Sequence, residues 1–276
     1  MKKSISLVLV GILAAGALSA AAFASDDTTI TVAASAVPHA EILEKAKPIL
    51  KEMGYDLSVT EFDDYIVPND VVESKEFDAN YFQHIPYLNE FNATWGTHLV
   101  NAGGIHYEPF GIYPGTKDSL EDLADGDTIA VPDDPTNEAR ALLLLQDNGI
   151  IKLADGLDLT SAQITALDIV ENPHNVQIKE LPAESISRYQ DEIAYLIMNG
   201  NYALLAGFSV GKDALAYELS ESEAAKTYVN VIAVYEGNEN LDKIKALVEV
   251  LKSEEITNFI LEKYDGAVVP FVEEEE

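Results

Sequence analysis

Strand-like and helix-like hydrophobic patterns alternate along most of this chain. TTITVAAS (28–35) is β-branched and ends in small residues, and apolar positions then recur at Ile42, Leu43, Ala46, Ile49, Leu50 and Met53 along one helical face. LSVTEF (57–62) reads as a second strand. TIAVP (128–132), LDIVE (167–171), VQIKEL (176–181), EIAYLI (192–197) and YVNVIAVY (228–235) read as further short buried strands separated by helical segments. Leu241, Ile244, Leu247, Val248 and Leu251 mark a late helix. This alternation predicts an α/β fold with mainly parallel sheets. No Pro/Gly/Ser-rich linker or internal repeat divides it.

In open α/β sheets ligands sit beyond the carboxyl ends of strands, which directs attention to residues that follow them. Tyr65 follows SVTEF, the ring cluster around Phe82 follows FDANY, Asn137 and Arg140 follow IAVP, and Asn199 follows IAYLIM. Asn230 instead lies inside its strand, where a buried amide needs hydrogen-bond partners that a ligand can supply.

The helix predicted within PDDPTNEARALLLLQDNG (132–149) starts well, with Asp134 as N-cap and Pro135 in the first turn, and Gly149 can end it. Arg140, near its second turn, opposes the helix dipole, so helix stability does not account for it. Two explanations stand: an ion pair with one of the many acids, or a fork that binds a ligand carboxylate. Its company of strand-end polar residues favours the ligand. In FDANYFQHIPYL (77–88), the rings flank a proline, and Phe82, His84 and Tyr87 are expected to form a rigid aromatic lip rather than a continuous packed helix face.

Composition narrows the classes. The 276 residues are 47% hydrophobic, enough for one large domain or two ordinary ones, and carry a formal charge of −31. Such a field disfavours nucleic acid and anionic membrane surfaces as partners. The closing EEEE reads as a solvated tail. Residues 1–24, with two lysines, an apolar run and Ala22-Phe23-Ala24, read as a secretory signal, so the mature chain is expected to begin at Ser25 and to be exported. There is no cysteine. A disulfide and a lipid anchor through cysteine are therefore not expected, although Leu18–Ala21 has the shape of a lipobox with alanine in the cysteine's place.

Enzyme and metal motifs are weak. GFSVG (207–211) matches a nucleophile elbow, but the last histidine, His174, precedes it and the order required of that hydrolase class fails. The five histidines show no close metal-ligand spacing. No metal or cofactor is expected; a secreted α/β hydrolytic enzyme and a metal-binding receptor are the competing readings.

FDDYIVPN, ANYFQHIPYL, VPDDPTNEARALLLLQ, LDIVENPHN, NGNYA and YVN, in this order and spacing, resemble the methionine-binding (MetQ/NlpA-type) solute receptors of ABC importers, from about Thr29 to Phe271. The resemblance implies a type II periplasmic-binding-protein fold, with two lobes joined by crossing strands: lobe 1 from 27–112 and 231–276, lobe 2 from 113–230. It implies a cleft that takes L- or D-methionine or a methionine-containing dipeptide, and a permease with its ATPase as partner. By motif match, Tyr65, Phe82, His84 and Tyr87 would enclose the thioether. Arg140 would grip the carboxylate, with Asn137, Asn199 and Asn230 orienting the charged end. On this view Arg140→Ala loses the ligand and leaves the melting temperature of the empty protein unchanged.

Overall fold

The computed structural model describes residues 28–159, 163–219 and 222–272. The signal segment 1–24, the Ser25 start and the acidic tail 273–276 lie outside these residues.

The first part of the chain alternates as its pattern predicts. β1 (Thr29–Ala34), α1 (Glu41–Glu52), β2 (Asp56–Glu61), α2 (Val67–Glu73), β3 (Ala79–His84), α3 (Ile85–Trp95) and β4 (Leu99–Tyr107) follow in order. After the crossing at Glu108–Phe110 come β5 (Gly111–Pro114), β6 (Thr128–Pro132), α4 (Pro135–Asp147), β7 (Lys152–Leu153), β8 (Ile169–Glu171), β9 (Gln177–Leu181), β10 (Tyr195–Met198), α5 (Gly200–Leu205), α6 (Val210–Asp213) and β11 (Ala216–Tyr217). The chain then continues through α7 (Glu223–Thr227), β12 (Val229–Tyr235), α8 (Asp242–Leu251), α9 (Glu254–Tyr264) and β13 (Val269–Pro270).

Two large sheets result, one per lobe, beside a two-stranded ribbon of β7 and β8. The first has the order β13-β4-β12-β3-β1-β2 and the second β11-β5-β10-β6-β9. β1 pairs in parallel with β2 and β3, while β12 enters antiparallel between β3 and β4. In the second sheet β6 pairs in parallel with β9 and β10, and β5 runs against β10. This is the mixed α/β architecture of a two-lobed binding protein, but the sheets are not mainly parallel: β12, β13, β5 and β11 all pair antiparallel, because the crossing segments enter each sheet against its βαβ strands. Each sheet has its own core: Ile30, Val32, Leu43, Leu50, Ile232 and Leu247 in the first, and Phe110, Ile129, Val131, Leu142, Leu145 and Ile197 in the second.

Three local readings need correction. β4 (LVNAGGIHY) escaped notice because its glycine pair mimics a turn. A Cβ on Gly103 would lie 2.5 Å from Val248 Cγ1, so glycine here allows α8 to pack directly on the strand. LDIVE is not a buried strand. Only Ile169–Glu171 is extended, it pairs with β7 in a small ribbon, and Leu167 and Val170 are 95% and 59% exposed. The lip expected around Pro86 is instead a strand end and a helix start: Phe82, Gln83 and His84 finish β3, and Pro86 occupies the first turn of α3, where its missing N–H costs no helical bond.

Candidate functional site

The aromatic group assembles first. Tyr65, from the segment between β2 and α2, lies with ring centroids 5.6 Å from Phe82 and 5.7 Å from Tyr87, and the Tyr87 hydroxyl donates to the Tyr65 carbonyl at 3.0 Å. Alternation along β3 turns Phe82 and His84 to the same side, and α3 brings Tyr87 back over them.

His84 is the hinge of this arrangement. Its Nδ1 accepts from the Tyr87 backbone N–H at 3.1 Å, capping α3, so its single proton is on Nε2, which donates to Asn137 Oδ1 at 3.0 Å. Burial, aided by the nearby Arg140 charge, lowers the His84 pKa to about 3, and the ring is neutral.

The second lobe meets it with amides. Asp134 caps α4 by accepting from Asn137 N at 3.0 Å, as the sequence predicts, and also holds Asn137 Nδ2 with both carboxylate oxygens, at 3.0 and 2.8 Å. Asn137 Oδ1 accepts from His84 and, at 2.8 Å, from Asn199 Nδ2. Asn137 is thus committed to its neighbours, bridging His84 of the first lobe and Asn199 of the second. Asn199 Oδ1 is the opposite case. It is buried with no hydrogen-bond partner among the described residues. Tyr65, Phe82, Gln83, His84, Tyr87, Asn137 and Asn199 line a recess of about 20 Å³, room for roughly one water molecule. A larger ligand enters only when the lobes part or these side chains move.

Arg140 is 3% exposed. Glu218, after β11, takes Nε–H at 2.8 Å and one Nη2 hydrogen at 2.5 Å, and the Glu108 carbonyl accepts from Nη2 at 3.0 Å. The ion pair therefore exists, and it occupies one edge of the guanidinium. Tyr228 and Phe110 pack against the cation at 4.1 and 4.7 Å from their ring centroids. Burial works against the charge, but Glu218 outweighs it and raises the pKa above its ordinary value. Tyr228 connects this cation to the aromatic group, since its ring centroid is 5.0 Å from that of His84. Arg140 does not line the recess itself: the buried Tyr228 ring lies between its guanidinium and His84.

Asn230 stands apart from the recess. Its Oδ1 lies 2.9 Å from His39 Nε2, so the protein itself supplies one of the partners its buried amide requires.

Several participants were missed by sequence. Asn201 accepts from the Tyr65 hydroxyl at 2.6 Å, and the Tyr202 hydroxyl donates to the Asp63 carbonyl at 2.8 Å; these two bonds join the lobes along the cleft rim. The NGNY segment carried the signal, but only its first asparagine was singled out. Glu218 had none, being one acid among 48 Asp and Glu. His39, His106 and Glu108 place three donor atoms within 4.8 Å of one another, the one grouping of metal-ligand type among the described residues. They are already hydrogen-bonded: His106 Nε2 to Glu108 Oε1 at 2.8 Å and His39 Nε2 to Asn230.

Residues 30–272 match the family model described as NlpA lipoprotein. This chain belongs to the NlpA lipoprotein family. It is 43% identical over 272 residues to the methionine-binding lipoprotein MetQ of Bacillus subtilis, covering 97% of this chain and 96% of that protein. A solved structure from Ruminococcus gnavus is 67% identical, with a TM-score of 0.87 over 89% of this chain and all of that one. A nutrient-binding protein from Burkholderia cenocepacia, solved bound to methionine, is 39% identical with a TM-score of 0.83 over 88% of this chain and all of that one.

Family membership corrects the expectation of no lipid anchor. The family is one of lipoproteins, and the Bacillus subtilis relative is named as one, so membrane attachment characterises the group to which this NlpA-family chain belongs.

Proposed function

We propose that this NlpA-family protein is an extracytoplasmic solute receptor that binds methionine between its lobes and delivers it to an ABC importer, without covalent chemistry. The observation that carries the reading is Asn199 Oδ1, a buried acceptor lacking a partner among the described residues, in a recess walled by Tyr65, Phe82, His84 and Tyr87. An ammonium group satisfies that oxygen. The part of the Arg140 guanidinium not engaged by Glu218 and Glu108 is the complementary partner for a carboxylate. The aromatic faces suit a thioether, whose sulfur gains modestly from ring contacts. The methionine-bound Burkholderia cenocepacia relative supports the same ligand class.

In this reading Asn137 holds His84 and Asn199 in place, and Asn230 contributes through its amide nitrogen. The lobe division we propose is 27–112 with 231–276 and 113–230; the chain leaves the first sheet after Tyr107 and rejoins it at Val229, a few residues before each of these boundaries. Lobe closure removes water from cation and thioether together, which strengthens both interactions in the closed state. The test is mass spectrometry of the natively purified protein followed by melting with L-methionine, D-methionine and methionyl dipeptides. A ligand-dependent rise in melting temperature is expected for at least one; no rise with any of them overturns the reading.

The rim bonds give a kinetic prediction. Tyr65→Phe keeps the ring and removes the hydroxyl that binds Asn201, leaving a buried oxygen unsatisfied. A loss of about 1 kcal/mol, or roughly fivefold, is expected, appearing mainly as faster methionine dissociation in stopped-flow measurements.

A further inference from the structure

A buried polar chain runs behind the cleft and reaches Asn230. Tyr81 bonds His106 Nδ1 through its hydroxyl, His106 Nε2 donates to Glu108 Oε1 at 2.8 Å, and His39 Nε2 lies 3.4 Å from the same oxygen and 2.9 Å from Asn230 Oδ1. His39 and His106 are fully buried. The cluster sits where β4 leaves the first sheet. A Cβ on Gly200, in the other lobe, would lie 2.7 Å from both Glu108 Cβ and Oε2. Glu108 thus packs directly against the start of α5.

The proton positions follow from the partners. Burial lowers the pKa of His39 to about 4 and of His106 to about 3, so each ring carries one N–H. Carboxylate and amide oxygens only accept, which puts that hydrogen on Nε2 in both rings. An amide whose oxygen is held by His39 has its nitrogen turned away, with its hydrogens free for a carboxylate.

We propose that His39, backed by Glu108, is a positioning residue that fixes which way the Asn230 amide faces, and so presents Nδ2 to the carboxylate of the bound amino acid. The proposal rests on Asn230 being a ligand contact. Without His39 the amide can rotate, and half of its orientations offer oxygen to the ligand's negative charge.

A double-mutant cycle tests this, with methionine affinity measured by calorimetry for wild type, His39→Ala, Asn230→Ala and the pair. His39→Ala is expected to weaken binding about tenfold, the size of one lost oriented hydrogen bond to a charged group, and to add nothing in the Asn230→Ala background. His39→Gln, whose side-chain amide can still donate to Asn230, is expected to recover most of the affinity and also serves if the alanine variant folds poorly. Equal effects of His39→Ala with and without Asn230, or wild-type affinity in His39→Ala, overturn the proposal. If Asn230→Ala binds normally while Arg140→Ala does not, the positioning role falls and the receptor reading stands; if both bind normally, both fall. A zinc-induced rise in melting temperature that His39→Ala abolishes would make the cluster a metal site and also overturn it.

Discussion

Arg140→Ala is expected to abolish measurable methionine binding and, at the same time, to lower the melting temperature of the ligand-free protein. The second half departs from what the sequence alone implies. Glu218 takes Nε–H and Nη2–H of Arg140 inside the protein and also accepts from the Tyr107 hydroxyl at 2.6 Å and the Phe110 N–H at 3.1 Å. Removing the guanidinium strands that carboxylate, at a cost on the order of 3–5 kcal/mol. Stability and binding are separated by Arg140→Met combined with Glu218→Gln, which removes both charges. That variant is expected to regain much of the lost stability in calorimetric melting and still to bind no methionine. Wild-type methionine affinity in either variant would remove Arg140 from the site.

Asn199→Ala is expected to carry the next largest effect. An ammonium bonded to a buried amide oxygen contributes about 1.5–3 kcal/mol, so the affinity for methionine should fall roughly 10- to 150-fold. The loss should be specific to the amine. 4-(Methylthio)butanoate, which keeps the carboxylate and thioether, is expected to bind wild type and Asn199→Ala with similar affinity in competition calorimetry. A parallel loss for both compounds would mean that Asn199 acts only by supporting Asn137, to which it donates at 2.8 Å.

Much of the scaffold was legible because hydrophobic period and end signals agree. β6 and the Asp134-Pro135 start of α4 fall where the pattern puts them, since a capping carboxylate and a first-turn proline leave little choice. β4 was illegible because Gly103 and Gly104 carry no pattern, and their reasons lie on other segments, at Val248 for Gly103 and at Val229 and Phe271 for Gly104. His84 was found as an aromatic wall but not as a helix cap, because the strand-to-helix change within QHIPY leaves no room for a loop signal. Arg140 posed a choice between ion pair and ligand fork that sequence could not resolve, and a guanidinium has donors enough for both. Glu218 could not be picked out at all: its burial depends on packing between segments 78 residues apart.

The rim hydroxyls of Tyr65 and Tyr202 bear on timing. A molecule enclosed behind them escapes no faster than both let go, so retention on the receptor and release to a transporter become separate events. Any machine that seizes the two halves and wrenches them apart shortens that wait without touching the cargo itself.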